Sequence, residues 1–205
     1  MRPAGQNALL EAARQEFAER GFGSASIRNI AARAGMSLSA MYHYYSGKQE
    51  LLHALLDEGM DRYFASVDAE LQAVGGVDAA PADRLGAVVA ATTRFRAEHA
   101  ARSNILLLEE RSLEPERLER YSRRQADATS LFRDPIEAGI TAGEFHTPYP
   151  DEARRGVIAM CNAVAQWWRA DGPLTLDALV DRHVELALTL VEYRPRRSFA
   201  ARGRA

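Results

Sequence analysis

The sequence predicts an all-α protein of about nine helices, with a small three-helix unit at the N-terminus and a longer helical region behind it. Three observations point there. Apolar residues recur at i, i+3 and i+4 along nearly the whole chain. No stretch alternates apolar and polar residues well enough to be a strand. Glycine, proline and serine fall at helix-length intervals, where caps and stops belong.

Leu9, Leu10, Ala13, Phe17 and Ala18 trace the apolar stripe of a first helix, which the run ERGF should stop. Gly21 suits the left-handed position just past a helix end, with Phe22 folding back onto the last turn. Ser26 can cap a second helix whose inner stripe is Ile27, Ile30, Ala31 and Ala34. Gly35 ends that helix, and Ser37 caps a third, short one. A fourth begins near Gly47 and runs through Leu51, Leu52, Leu55, Leu56, Met60 and Phe64 to about Ala73. The stretch GGVDAAPAD (75–83) then breaks the pattern and is the best candidate boundary. Helical spacing resumes at about 82–98, 102–113, 116–142, 151–170 and 175–193. Pro135 should kink the third of these or start a new turn. GEFHTPYP (143–150) reads as a loop and RADGPLT (169–175) as a tight connection. The closing YRPRRSFAARGRA carries five arginines and no acid, which predicts a disordered basic tail over 194–205.

Composition narrows the class. At 205 residues the chain can bury a substantial core, and 47% hydrophobic with 26% charged residues is ordinary for a soluble globular protein. No run approaches the roughly 18 apolar residues of a membrane span. The N-terminus lacks the continuous apolar stretch of a secretory signal. Cys161 is the single cysteine, which excludes an internal disulfide and fits a reducing cytoplasm. The formal charge of −2 says nothing about nucleic acid, although residues 1–55 hold six basic side chains against four acidic ones. Lys48 is the only lysine among 26 basic residues.

Catalytic chemistry finds no purchase. The histidines, at 43, 53, 99, 146 and 183, form no i, i+4 pair and flank no cysteine pair, so no zinc site is expected. Cys161 has no basic neighbour in sequence and sits mid-helix, as an inert thiol would. Glu109 and Glu110 would point about 100° apart on a helix, which is no acid/base pair. No glycine-rich loop could cradle a phosphate. The chain reads as a non-enzyme without a cofactor.

Residues 27–45 carry the chemistry instead. IRNIAARAG, MS and LSAMYHYY read as helix, turn, helix. Two short helices crossing steeply need a small residue at closest approach, supplied by Ala31, and a turn residue free to take positive φ, supplied by Gly35. Met36 plugs the turn, while Met41 and Tyr45 anchor the second helix inward. Leu38, Ser39, Tyr42 and His43 then face out, flanked by Ala40 and Tyr44, on a surface suited to a DNA major groove.

The string FAERGFGSASIRNIAARAGMSLSAMYHYYSGKQELL resembles the DNA-binding domain of TetR-family transcriptional repressors, over roughly residues 8–56. Several elements join at fixed spacing: GF after the first helix, the IAARAGMS turn, the aromatic YHYY and the GKQELL opening of helix four. The resemblance implies a DNA-binding domain over 1–56, with helix four (47–73) leading into a ligand-binding and dimerisation domain over 57–193. It implies phosphate contacts from Ser26, Ser37, Tyr42, Tyr44 and Lys48, and base readout by Arg28, Leu38, Ser39, Ala40 and His43. Hydroxyls and a point charge suit phosphate oxygens. Leu38 and Ala40 cannot donate hydrogen bonds and would pack on thymine methyls, whereas Arg28 could bridge a guanine. Leu38, Ser39 and Ala40 replace the family's commoner lysine, glycine and threonine, so no operator sequence carries over. Asn29 stands where an acid usually completes the cap of helix two.

The resemblance further implies a cytoplasmic homodimer on a palindromic double-stranded operator, released by a small hydrophobic effector. GEFHTPYPDEARRGVIAMCNAVAQWW resembles members that sense acyl-CoA or other lipid-derived catabolites. The last two helices would dimerise through Val157, Val164 and Trp168, with Leu179, Val184, Leu186 and Leu190 opposite. Phe95, His99, Asn104, Arg111, Gln125, Phe132, Asn162, Gln166 and Trp167 are candidate cavity residues, with Glu109 as a further polar group. A reading from another class is a helical adaptor that binds protein through the aromatic face of helix three.

Overall fold

The computed structural model describes residues 3–100 and 109–195. Among them are eight α-helices and no strand: α1 Ala4–Ser24, α2 Ile27–Arg33, α3 Leu38–Tyr42, α4 Lys48–Ala73, α5 Pro81–Glu98, α6 Pro115–Thr141, α7 Pro150–Trp167 and α8 Leu176–Leu190. Single 3-10 turns stand at Gly76–Asp78 and Glu110–Ser112. The expected helix at 102–113 and tail at 194–205 lie mostly outside the described residues, as does Asn104.

The N-terminal unit turns on two glycines. Gly21 breaks α1 at φ 70°, ψ 161°, a region that only glycine enters freely. Gly35, at φ 69°, lets the chain leave α2 and re-enter at Met36. Ser37 caps α3 as expected, its Oγ accepting from the Ala40 N–H at 3.1 Å. Ser26 does not cap α2: it occupies the N-cap position, but its side chain accepts no cap hydrogen bond.

Glu16 of α1 supplies that cap from ten residues away. Its carboxylate is fully buried and accepts from the Ser26 N–H at 3.3 Å and from Asn29 Nδ2 at 3.1 Å. Arg33 Nε lies 3.2 Å from its other oxygen, and Arg20 Nε 3.5 Å from the first. A carboxylate at a helix N-terminus satisfies orphan amides and opposes the helix dipole. Asn29 instead supplies, through its side-chain amide, the donor that matches the distant acid. Ala31, Met41 and Tyr45 are buried where α2, α3 and α1 meet, as the turn requires.

α4 belongs to both halves of the molecule. Leu51, Leu52 and Leu56 close the N-terminal core, while Met60, Tyr63 and Val67 enter the C-terminal one, so a single apolar core is continuous from Leu9 to Val191. α5 runs through the middle of the C-terminal bundle and packs on α4, α6, α7 and α8. α6 passes through Pro135 as one helix, with no break from helical dihedrals recorded there. The proline is buried, so packing offsets the missing hydrogen bond. The 143–149 loop is tied to the end of α8, His146 and Thr147 both donating to the Val191 carbonyl.

The Glu16 contacts set a pH dependence. Burial opposes its charge, but Asn29, the Ser26 amide, Arg20 and Arg33 outweigh burial and hold the carboxyl below the ordinary 4.5. Its stabilisation is therefore complete above pH 4.5 and lost as pH falls through the lower folded value. Glu16→Ala should cost about 1–3 kcal/mol in urea denaturation at pH 7, with the deficit shrinking toward acid. An unchanged midpoint, or a deficit constant with pH, would remove Glu16 from this role.

Candidate nucleic-acid interface and internal cavity

α3 presents one side outward. Ser37, Ser39 and His43 are exposed, Tyr42 is 51% and Tyr44 37% exposed, and Arg28 of α2 is exposed beside them. Met41 and Tyr45 are fully inward, so the helix cannot roll without emptying the core. Leu38 and Ala40 are half-buried, and Leu38 packs partly on the core. Ser26 is also half-buried. The ring of Tyr44 lies over the start of α1, with its hydroxyl 2.8 Å from where a Cβ on Gly5 would stand.

Lys48 is held against the end of α1. Its ammonium donates to three backbone carbonyls, those of Phe22 at 2.6 Å, Gly23 at 3.1 Å and Ala25 at 3.2 Å. It also sits 4.5 Å from the centroid of the Phe22 ring. An ammonium has three donors, so none remains for a phosphate in this arrangement. The break at Gly21 strands the last carbonyls of α1, and a cation at a helix C-terminus is the natural partner for them.

The two halves are joined at the same place. Glu109 Oε1 accepts from the Phe22 N–H at 3.1 Å, and its Oε2 accepts from the Ser112 hydroxyl at 3.1 Å. Gln49 Nε2 donates to the Ser112 carbonyl at 2.7 Å, while its Oε1 accepts from the Glu114 N–H at 3.3 Å. The 109–114 segment is thus fastened to both α1 and α4.

A cavity of about 280 Å³ opens between α4, α5, α6 and α7. Met60, Ala128, Phe132 and Ile158 form its apolar wall; Tyr63, Thr92, Arg96, Tyr121, Gln125, Thr129 and Asn162 supply polar groups. Of the expected cavity residues, Gln125, Phe132 and Asn162 are in place. Phe95 is buried behind Tyr63, edge-on at 5.6 Å, and His99 stacks edge-on against Phe95 at 5.1 Å. Arg111, Gln166 and Trp167 are exposed and line nothing here, Trp167 lying parallel to His183 at 6.4 Å. Tyr63, Thr92, Arg96 and Tyr121 were missed. The available signal was Arg96 itself, a charge one turn beyond Thr92 on an otherwise apolar helical stripe.

The apolar stripes of the last two helices face inward in part. Val157, Val164 and Leu179 are fully buried within the subunit, and Val184 and Trp168 are half-buried. Val157, Val164 and Leu179 therefore offer no surface to a second copy, and α5 packs on both helices. Leu186 (52%), Leu190 (41%) and Trp167 (51%) are the large apolar side chains that α7 and α8 leave exposed. No group of three or more His, Cys, Asp or Glu among the described residues could hold a metal ion, and none of their helices is long and apolar enough to cross a membrane. Cys161 is buried and accepts from the Thr93 hydroxyl at 3.7 Å; burial pushes its thiol up to about 11.

Residues 9–55 match the family model of bacterial regulatory proteins of the tetR family, and residues 78–191 match the tetracyclin repressor-like C-terminal domain. The chain is 26% identical over 184 residues to the HTH-type transcriptional repressor KstR2 of Rhodococcus jostii, spanning 88% of this chain and 87% of that protein. Its fold is similar to a bacterial regulatory protein of the tetR family from Rhodococcus RHA1, with a TM-score of 0.84 and 31% identity over 95% of this chain and 100% of that one. It is also similar to the ketosteroid transcriptional regulator KstR2 of Mycobacterium tuberculosis, with a TM-score of 0.81 and 25% identity over 95% and 98% of the two chains.

The geometry of Lys48 separates a fastening role from a phosphate contact. Lys48→Ala should lower stability by about 1.5–3 kcal/mol, because three carbonyls lose a charged donor. The salt dependence of any nucleic-acid binding should keep its slope. A slope reduced by about one, with stability intact, would return Lys48 to the phosphate backbone.

Proposed function

This chain belongs to the tetR family of bacterial regulatory proteins, DNA-binding transcriptional repressors rather than enzymes, and we propose that it works as a homodimer on a palindromic operator and is released by a small lipid-derived effector held in the internal cavity. The observation that carries this reading is the outer face of α3, where hydroxyl, imidazole and phenol groups stand exposed over a buried Met41 and Tyr45. That face suits base edges in a major groove, with a rim of hydroxyls for phosphates.

In this reading the DNA-binding domain spans 1–56 and the sensing domain 57–193. Ser39, His43 and Arg28 read bases, with Leu38 and Ala40 against thymine methyls. Ser26, Ser37, Tyr42 and Tyr44 hold the backbone. The exposed Trp167, Leu186 and Leu190 support a second copy docking on α7 and α8, so that two reading helices fall about one helical turn of DNA, or 34–36 Å, apart. The kinship to KstR2 repressors supports a lipid-derived effector. A molecule that represses genes in this way works in the cytoplasm.

The 109–114 segment offers the path from cavity to DNA. Gln125 lines the cavity and donates to Glu110. The neighbouring Glu109 takes the Phe22 amide, and Phe22 in turn holds Lys48 through its carbonyl and ring. A ligand that draws Gln125 away from Glu110 pulls on the α1–α2 turn. α4 provides a second path, with Met60 and Tyr63 at the cavity and Leu51 and Leu52 in the N-terminal core.

Titration of a palindromic duplex against a scrambled one tests the reading. A dimer neutralising six to ten phosphates should lose roughly 10³–10⁵ in affinity between about 50 and 200 mM salt. A protein-binding adaptor would show little of this, and failure to prefer any operator would end the proposal. Arg28→Ala should relax preference at one base pair, by about 1–3 kcal/mol. Glu109→Ala, which cuts the link to Phe22, should blunt effector release while operator affinity stays nearly unchanged. Equal release from both proteins would take Glu109 out of the path.

A further inference from the structure

The cavity contains a cation with no counter-ion among the described residues. Arg96 projects from the buried stripe of α5 into the space between α4, α6 and α7. Its Nε donates to Asn162 Oδ1 at 3.0 Å, and its guanidinium carbon lies 5.8 Å from the Tyr63 ring and 5.9 Å from the Phe95 ring. Nη1 is buried with no acceptor among the described residues. No described carboxylate lies within ion-pair distance of Arg96, and the undescribed stretch 101–108 contains no Asp or Glu. Its facing ionisable groups are Tyr63, Tyr121 and Cys161, which burial keeps protonated. Glu110 bears on Tyr121 and is taken up by Gln125. Arg124, on the neighbouring α6, shows the contrast: it pairs with both Asp57 and Asp61.

An arginine does not shed its proton, so a half-buried guanidinium whose Nη1 is buried without an acceptor is a standing cost to the protein. Of the neighbouring groups, the hydroxyls use their protons within the protein and the amide keeps its own. Thr92 donates its hydroxyl proton to the Val88 carbonyl at 2.7 Å and so accepts from the Tyr63 hydroxyl at 3.0 Å. Both hydroxyl protons are thereby used inside the protein. Asn162 commits its amide oxygen to Arg96, which leaves its NH₂ group as a donor. The polar end of the cavity therefore offers a guanidinium fork and an amide, and the far end offers Met60, Phe132 and Ile158. A volume of 280 Å³ falls just below the range of roughly 300–1,000 Å³ typical of small-molecule sites, so the occupant is compact.

We propose that the effector is a compact apolar free acid whose carboxylate pairs with Arg96 and Asn162. The inference rests on reading the cavity as the effector site, but its test does not depend on operator binding. The full-length protein is compared with its Arg96→Met and Asn162→Asp variants by thermal unfolding without ligand and with octanoate, cyclohexanecarboxylate, methyl octanoate or octanoyl coenzyme A.

Two results are expected. Without ligand, both variants melt higher than the parent, because one removes the unpaired charge and the other places a carboxylate beside it. With ligand, the free acids stabilise the parent and methyl octanoate does not, and each variant weakens acid binding by about ten- to a hundred-fold. If Arg96→Met melts lower without ligand, Arg96 is a structural residue and the proposal fails. It also fails if acid and ester stabilise equally, if only the thioester acts, or if neither free acid acts. A parent that responds to acids but prefers no operator would leave the acid site standing and remove the regulator reading instead.

Discussion

One buried carboxylate organises the reading head. Glu16 reaches from α1 to the Ser26 amide at the mouth of α2, to the Asn29 side chain and to Arg33 at the far end of the same helix. α2 has seven residues and α3 five, lengths at which neither helix holds itself together in water. Their placement comes from contacts to α1 and α4, and the Glu16 cluster is the polar half of that attachment. The apolar half is Ile30, Ala31, Met41 and Tyr45. With α2 fixed at both ends, Gly35 and Ser37 set α3 at one angle. The exposed side chains follow from that angle alone.

The C-terminal half is arranged around a different constraint. α5 packs on α4, α6, α7 and α8, so every helix of the bundle takes its position from it. The cavity lies where this packing is incomplete, between α5 and the α4, α6 and α7 walls. α4 joins the two regions: its 26 residues span roughly 39 Å, with one end in the head and the middle on the cavity. Such a rod transmits a shift of its cavity face without itself needing to bend. The 109–114 segment meets the head from the other side, at the α1–α2 turn.

Local features were legible in the sequence, and long-range ones were not. Helix spans, the Ser37 cap, the positive φ at Gly35 and the inward Met41 and Tyr45 all follow from spacing within a few residues. The capping of α2 was misread because serine at an N-cap position is a strong local signal, and its replacement stands ten residues earlier on another helix. The fastening by Lys48 was out of sight for the same reason, since its carbonyl partners lie 23 to 26 residues away. The C-terminal stripes divide, with Val157, Val164 and Leu179 buried inside the subunit and Leu186 and Leu190 exposed: periodicity shows that a face is greasy without saying which neighbour covers it. Tyr63, Thr92 and Arg96 sit on helices whose pattern is dominated by aliphatic residues, so their convergence appears only once α4 and α5 are packed.

The position of Lys48 has a chemical corollary. It is the chain's only lysine, and its nitrogen is enclosed by three main-chain oxygens and an aromatic ring. Surface positive charge is therefore carried by guanidinium groups throughout. Reagents or enzymes that acylate amines find no side chain whose loss would simply dilute that charge. Their one internal target is a rivet in the scaffold, so acylation there would register as a loosened hinge between α1 and α2.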